Sequence, residues 1–140
     1  MKEARKNPPK GLKKVIVRPV EFRRTIANYD RRLPPVVSTP SMIGQMEVAA
    51  ALLLQPFLPK GAISVGTHIN VSHVAPATVG EKLRVTATFA RAYKPRNSGR
   101  LRYVFEVEAR VGQRLIGAGA VERAVVAPAF SKQMIKGPNK

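Results

Sequence analysis

Thr39-Pro-Ser-Met-Ile-Gly-Gln-Met-Glu-Val-Ala-Ala-Ala-Leu-Leu-Leu-Gln-Pro-Phe-Leu-Pro59 decides the fold of this chain. Thr39 is a good N-cap, and Pro40 suits the first helical position, where a missing N–H costs nothing. Pro56 and Pro59 mark the end. Between Met42 and Leu54 only Gly44, Gln45 and Glu47 interrupt the apolar run. The stretch therefore predicts one long helix, buried on nearly every side. Glu47 is the only ionisable side chain between Arg32 and Lys60. Its neighbours one turn away are Ile43, Gly44, Ala50 and Ala51, and none is a cation. A carboxylate in that setting has to take a partner from another segment, stay protonated, or face a cavity.

Downstream of Lys60-Gly61 the period changes from helical to alternating. Ile63, Val65, Thr67, Ile69, Val71 and His73 share one face of a strand, and Ser64, Gly66, His68, Asn70 and Ser72 share the other. His73 thus falls on the apolar side and His68 on the polar side. Ala75 to Gly80 forms a turn. Leu83, Val85, Ala87 and Phe89 define a second strand. After the loop Lys94-Pro-Arg-Asn-Ser-Gly, Leu101 to Val111 alternates as a third. Gly112-Gln113 is a two-residue hairpin connection, and Leu115 to Ala127, with small residues at Gly117 to Ala120, is a fourth.

Upstream of the helix, Lys14 to Arg18 carries a β-branched run that predicts a short strand closed by Pro19. Val20 to Asp30 predicts a short helix with Phe22, Ile26 and Tyr29 turned inward. Residues 1–13 are expected to be a disordered basic arm, 14–127 a single domain, and 128–140 a basic tail. Four consecutive strands with short connections predict antiparallel neighbours. The economical arrangement is α+β: a curved antiparallel sheet wrapped around one central helix. One sheet leaves part of the helix or a sheet edge uncovered, so a homodimer is expected.

The 140 residues suit one domain with a real core. There is no cysteine, which excludes disulfides and thiolate metal sites. No apolar signal core follows the basic N-terminus, and the Met42–Leu54 run is too short for a membrane span, so the expected location is the cytoplasm. The net charge is +17, from 25 basic and 8 acidic residues. Such a field attracts polyanions: nucleic acid, anionic lipid or a phosphorylated small molecule. It also serves solubility alone.

Glu47 on a buried helix, His73 on an inner strand face and Thr39 at the helix start are out of place in a core. Together they make a workable set for hydrolysis. A carboxylate attacks a carbonyl or activates water. Imidazole moves protons near neutral pH, and a helix N-terminus offers N–H groups to an oxyanion. Gly66 lets a substrate approach the backbone. Each residue also has a structural role open to it: Thr39 as an N-cap, His73 as a hydrogen-bonded core histidine, Glu47 as the ion-pair partner of His73. His68 and His73 fall on opposite faces of one strand, so no metal is expected. No phosphate-binding glycine loop is present.

The pattern Ser38-Thr39-Pro40-Ser41-Met42-Ile43, Met46-Glu47, Ser64-Val65-Gly66-Thr67, Val71-Ser72-His73, Gly80 and Gly119-Ala-Val-Glu-Arg123 resembles the fluoroacetyl-CoA-thioesterase-like branch of the hotdog-fold thioesterases. The resemblance runs from about Lys14 to Val126. It implies a hotdog fold, a homodimer or a larger assembly of it, and hydrolysis of an acyl-CoA thioester to a free acid and CoA. No cofactor is implied beyond the CoA of the substrate. Thr39, Glu47 and His73 match the family's catalytic Thr, Glu and His, Gly66 the glycine lining the acyl pocket, and Arg123 a recurring arginine on the last strand. Asp30, Arg31, Arg32 and Leu33 stand where the aromatic lid of fluoroacetyl-CoA thioesterase would be, so the implied substrate is a short acyl thioester rather than fluoroacetyl-CoA in particular. The rivals are a non-catalytic hotdog module that binds acyl-CoA or nucleic acid, and a dehydratase on the same scaffold. No helix-turn-helix and no interleaved surface aromatics support nucleic-acid reading, and the Asp/His pattern of such dehydratases is absent.

Overall fold

In a computed structural model, residues 7–97 and 99–127 are described. The greasy stretch forms helix α1, Thr39–Leu54. Strand β1, Lys13–Pro19, precedes it, and β2 (Ile63–His73), β3 (Lys82–Tyr93), β4 (Arg102–Val111) and β5 (Arg114–Val126) follow. One antiparallel sheet contains all five strands in the order β1-β3-β4-β5-β2. Register shifts between Gly66 and His68, Phe89 and Arg91, and Ala109 and Arg110 mark bulges. Each extra residue bends its strand and increases the local twist, which curves the sheet around α1.

The alternation expected of β3 and β4 is realised. Leu83, Val85, Ala87 and Phe89 on β3, and Tyr103, Phe105, Val107 and Ala109 on β4, are buried under the helix. Phe89 meets Phe105 edge-on with centroids 5.6 Å apart. From α1, Met42, Met46, Leu53 and Leu54 fill the space between helix and sheet. Burial of side chains this size contributes roughly 1.5–3 kcal/mol each. Gln45 is buried as well, and its Nε2 donates to the carbonyls of Ile16 and Leu83, so no amide proton is left over. At Gly117 a Cβ would stand 2.6 Å from the Met42 thioether and 2.9 Å from the Ser72 carbonyl, which explains a small residue there.

The helix is less enclosed than its composition predicts. Gly44 and Leu52 are exposed and Val48 is half-buried, a stripe at helical spacing that the sheet does not reach. The hairpin between β4 and β5 forms as expected, with Gly112 at φ 57°.

Three expectations need correction. The four later strands do not form a simple meander: β2 leaves β3 and pairs with β5 at the far edge. The eight residues Val74–Glu81 span up to about 26 Å, whereas three strand spacings need only about 14 Å. Their backbone is anchored on the way: Val74 and Ala75 donate to the Ile116 carbonyl, Val37 donates to Ala77, and Val20 donates to Glu81. Secondly, Val20–Asp30 is not one helix but two 3-10 turns, Phe22–Arg24 and Ile26–Asn28. Val20, Thr25 and Ala27 are the buried residues of this stretch, while Tyr29 is 77% exposed. Thr25 adopts an extended conformation between the turns and its hydroxyl donates to the Phe22 carbonyl, which interrupts the helical path. Thirdly, the residues just before β1 are not free: Pro8 is buried, Gly11 donates to the Phe89 carbonyl, and Phe89 donates to Leu12. The rest of the expected arm, residues 1–6, and the tail 128–140 lie outside the described residues.

Candidate functional site

The start of α1 separates two hydroxyls by one residue and gives them different work. Ser38, not Thr39, is the N-cap: its Oγ accepts from the Ser41 amide at 3.2 Å. Thr39 is the first helical residue and Pro40 the second. With the cap supplied by its neighbour, Thr39 Oγ1 is free to pair with His73 Nδ1, 2.8 Å away. Of the first amides, Pro40 has none, Ser41 and Met42 are bonded to Ser38. The helix start thus offers an oxyanion the Thr39 amide, not the cluster of donors expected from a free N-terminus.

Glu47 takes its partner from another segment, the first of the three outcomes open to it. Arg123 of β5 donates from Nη1 to Glu47 Oε2 at 3.1 Å. The same guanidinium donates from Nε to Ser64 Oγ at 2.8 Å and from Nη2 to the Ser64 carbonyl at 2.9 Å. Arg123 is thereby bound along its whole fork, the geometry that suits arginine better than lysine. Burial pulls its pKa below the ordinary arginine value, and the charge and hydrogen bond of Glu47 oppose that pull. The side chains are 9% and 22% exposed for Arg123 and Glu47, so the pair is neither sealed nor fully wet. Glu47 Oε1 is buried without a hydrogen-bond partner.

Gly66 completes this group. A Cβ there would lie 2.2 Å from Glu47 Oε2, so only glycine leaves room for the carboxylate. Gly66 and His73 differ in parity along β2, and strict alternation puts them on opposite faces. Both nevertheless face α1, because the bulge leaves Thr67 without a partner between the Gly66–Arg123 and His68–Glu122 pairs. One extra residue flips the alternation. The bulge also turns Ser64 toward Arg123. Ser64 lies in the sequence pattern of the site, but assigning it a contact needed the bulge, which composition does not announce. His68 is exposed, as the alternation predicts.

Within one chain these residues form two groups rather than one. Thr39 and Glu47 are eight residues apart on α1, about 12 Å along the axis. Gly66 and His73 stand near opposite ends of β2. The structure brings Thr39 to His73, and Glu47 to Gly66 and Arg123. The ion pair of Glu47 is with Arg123 and not with His73. Among the described residues no group of three His, Asp or Glu side chains is placed to hold a metal ion, and no helix is long and apolar enough to cross a membrane.

Residues 20–129 match the profile of the family described as FlK, fluoroacetyl-CoA-specific thioesterase. A protein of Streptantibioticus cattleyicolor named fluoroacetyl-CoA thioesterase is 38% identical over 93 residues. That alignment covers 66% of this chain and 63% of the relative, so the match spans less than two thirds of the relative's length. A solved structure of the fluoroacetyl-CoA thioesterase FlK superimposes with a TM-score of 0.77 at 28% identity, covering 94% of this chain and 97% of the other. A Thermus thermophilus protein described as a thioesterase superfamily member gives 0.78 at 26% identity, covering 92% and 91%. The helix wrapped by a five-stranded antiparallel sheet is the hotdog arrangement these structures share.

Proposed function

The chain belongs to the fluoroacetyl-CoA-specific thioesterase family, and we propose that it hydrolyses a short acyl-CoA thioester to the free acid and CoA at a site shared between two copies. The observation that carries the reading is the division of the site residues. Each chain holds a carboxylate fixed by one oxygen with the other unpartnered. At the far end it holds a hydroxyl and an imidazole joined at 2.8 Å. Neither group alone is a complete hydrolytic set.

A second copy supplies what is missing. β2 is an edge strand of eleven residues whose outer side pairs with no described strand. Such an edge is a template for another strand. Two-fold antiparallel pairing of β2 with its copy sets the Ile63 end of one against the His73 end of the other. Glu47, Gly66 and Arg123 of one copy then lie beside Thr39 and His73 of the other, and the dimer contains two such sites.

In that arrangement Glu47 Oε1 either takes a proton from water, whose oxygen adds to the thioester carbonyl, or adds to the carbonyl itself to give an anhydride that water then opens. In both routes the C–S bond breaks and His73 gives a proton to the departing sulfur while Thr39 orients the ring; the proton that water releases, by way of Glu47 in the first route or on opening the anhydride in the second, restores His73. Arg123 holds the carboxylate in place through its hydrogen bond to Oε2. The open edge at Gly66 admits a small acyl group. CoA esters are handled in the cytoplasm, and we place the reaction there.

The test is free-thiol release from a panel of acyl-CoA esters. Glu47→Gln and His73→Ala are each expected to lower turnover by about 10² to 10⁴-fold with the fold retained by circular dichroism. Retained turnover in both variants removes the catalytic assignment. Mixing the two inactive variants then decides the sharing. A heterodimer has one site with both defects and one with neither, so random exchange restores about a quarter of wild-type activity. If each site is built within one chain, every site keeps a defect and nothing is restored.

A further inference from the structure

Arg123 gives Glu47 less than an arginine can. A guanidinium beside a carboxylate frequently binds both oxygens through two parallel hydrogen bonds, the stronger arrangement. Here a single nitrogen reaches a single oxygen. Nη1 donates to Glu47 Oε2 at 3.1 Å, and Oε1 is buried without a hydrogen-bond partner.

The cause lies on β2. Ser64 presents two acceptors to another edge of the same guanidinium. Its Oγ accepts from Nε at 2.8 Å and its carbonyl oxygen from Nη2 at 2.9 Å, both shorter than the bond to Glu47. The group is planar and rigid, so fixing the Nε–Nη2 edge also fixes where Nη1 points. In the β2–β5 register Ser64 stands opposite Val125, two residues beyond Arg123. That makes it a diagonal neighbour, within reach of a long side chain. The carbonyl half of the grip is backbone and is available to any residue at this position. The hydroxyl half needs a hydroxyl side chain.

We propose that Ser64 is a positioning residue for the hydrolysis. It holds Arg123 by one edge, so that the arginine fixes one oxygen of Glu47 and leaves the other for water or the thioester carbonyl. Ser64 acts through Arg123 and touches no reacting atom. Without the hydroxyl, Nε loses its acceptor in a side chain only 9% exposed, and an unpaired buried donor is costly. The guanidinium then turns to bind both oxygens of Glu47. The carboxylate gains a hydrogen bond and loses its reactive oxygen.

The assignment rests on the thioesterase reading for its effect on rate, but not for its geometry. Ser64→Ala is expected to lower kcat by about 10 to 10²-fold, with KM changed less than about twofold because substrate binding is untouched. Its melting temperature is expected to hold, since the new bond to Oε1 replaces the lost one. Ser64→Thr, which keeps the hydroxyl, is expected to restore most of the rate. Arg123→Lys cannot be gripped at an edge, so adding Ser64→Ala to it should lower kcat no further. A crystal structure of Ser64→Ala is expected to show Arg123 on both oxygens of Glu47.

An unchanged kcat in Ser64→Ala overturns the assignment. So does a slower variant that also melts earlier and whose loss adds in full to that of Arg123→Lys, which is what a merely structural role gives. If the wild-type chain cleaves no acyl-CoA, the thioesterase reading falls and the variant's crystal structure decides alone. Both oxygens bound keeps Ser64 as the residue that sets the pairing, and one oxygen bound overturns it.

Discussion

At the Gly66 end of β2 a carboxylate and a guanidinium are locked together, whereas at the His73 end a hydroxyl and an imidazole share a single hydrogen bond. The first end is held by three elements of structure at once: α1 supplies Glu47, β5 supplies Arg123, and β2 supplies Ser64 through side chain and backbone and, at Gly66, the space. The second end is held by one contact between a helix start and a strand end. The first end is thus over-determined and positions a charge, while the second is open and suited to moving a proton. Under the proposed function, the contrast is why one chain would hold the groups for hydrolysis and a second copy would complete the site.

Substitutions that act on one end sharpen the contrast. The largest effect is expected at Gly66. Gly66→Ala forces Glu47 Oε2 away from a position 2.2 Å from the new methyl, costing about 1–3 kcal/mol of stability. Displacement of the carboxylate is expected to lower turnover by about 10². Thermal melting and thiol release measure the two together, and a fully active Gly66→Ala would show that Glu47 does not need its present position.

At the other end, adjacent hydroxyls should separate stability from activity. Ser38→Ala removes the helix cap and is expected to cost about 1 kcal/mol of stability. Thr39→Ala removes the hydrogen bond to His73 and is expected to lower kcat about tenfold, with a smaller change in melting temperature than Ser38→Ala. Thr39→Ser, which keeps the hydroxyl, should recover most of the loss. If Thr39→Ala melts earlier than Ser38→Ala and keeps its rate, the roles of the two residues are exchanged.

The smallest effect concerns the crossover that carries the chain from His73 to β3. Glu81 accepts from the Thr78 amide and from Arg114, and these hold its carboxyl below the ordinary value, the backbone hydrogen bond foremost. A lowered folded pKa contributes stability above the unfolded value, about 4.3, and that contribution is lost as pH falls through the lower folded value. Glu81→Gln is therefore expected to differ from wild type by a constant small amount above about pH 5, with the difference closing in more acid solution. Urea midpoints measured across that range check the sign.

The same two ends show why some of the molecule was legible and some was not. The helix, its length and the isolation of Glu47 follow from local composition, because a long apolar run with proline at both ends has few other conformations. β3 and β4 follow from strict alternation. Thr39, Glu47, Gly66, His73 and Arg123 were visible as a pattern resembling a known family. Their contacts were not visible. The N-cap fell on Ser38 rather than Thr39 because two cap-competent residues stand side by side, and only the path of the preceding chain chooses between them. The strand order escaped because an eight-residue connection reaches either a near or a far neighbour.

Sequence alone determined that a buried acid on a greasy helix would need a partner from another segment, a proton or a cavity, since no cation lies within a turn of it and an unpaired charge in a core is costly. Only the tertiary structure decided that the partner is Arg123 and that Gly66 and His73 face the same helix. The reason is a single bulged residue, Thr67. Alternation is a local rule, but which residue is left out of the pairing depends on how β2 and β5 fit around α1.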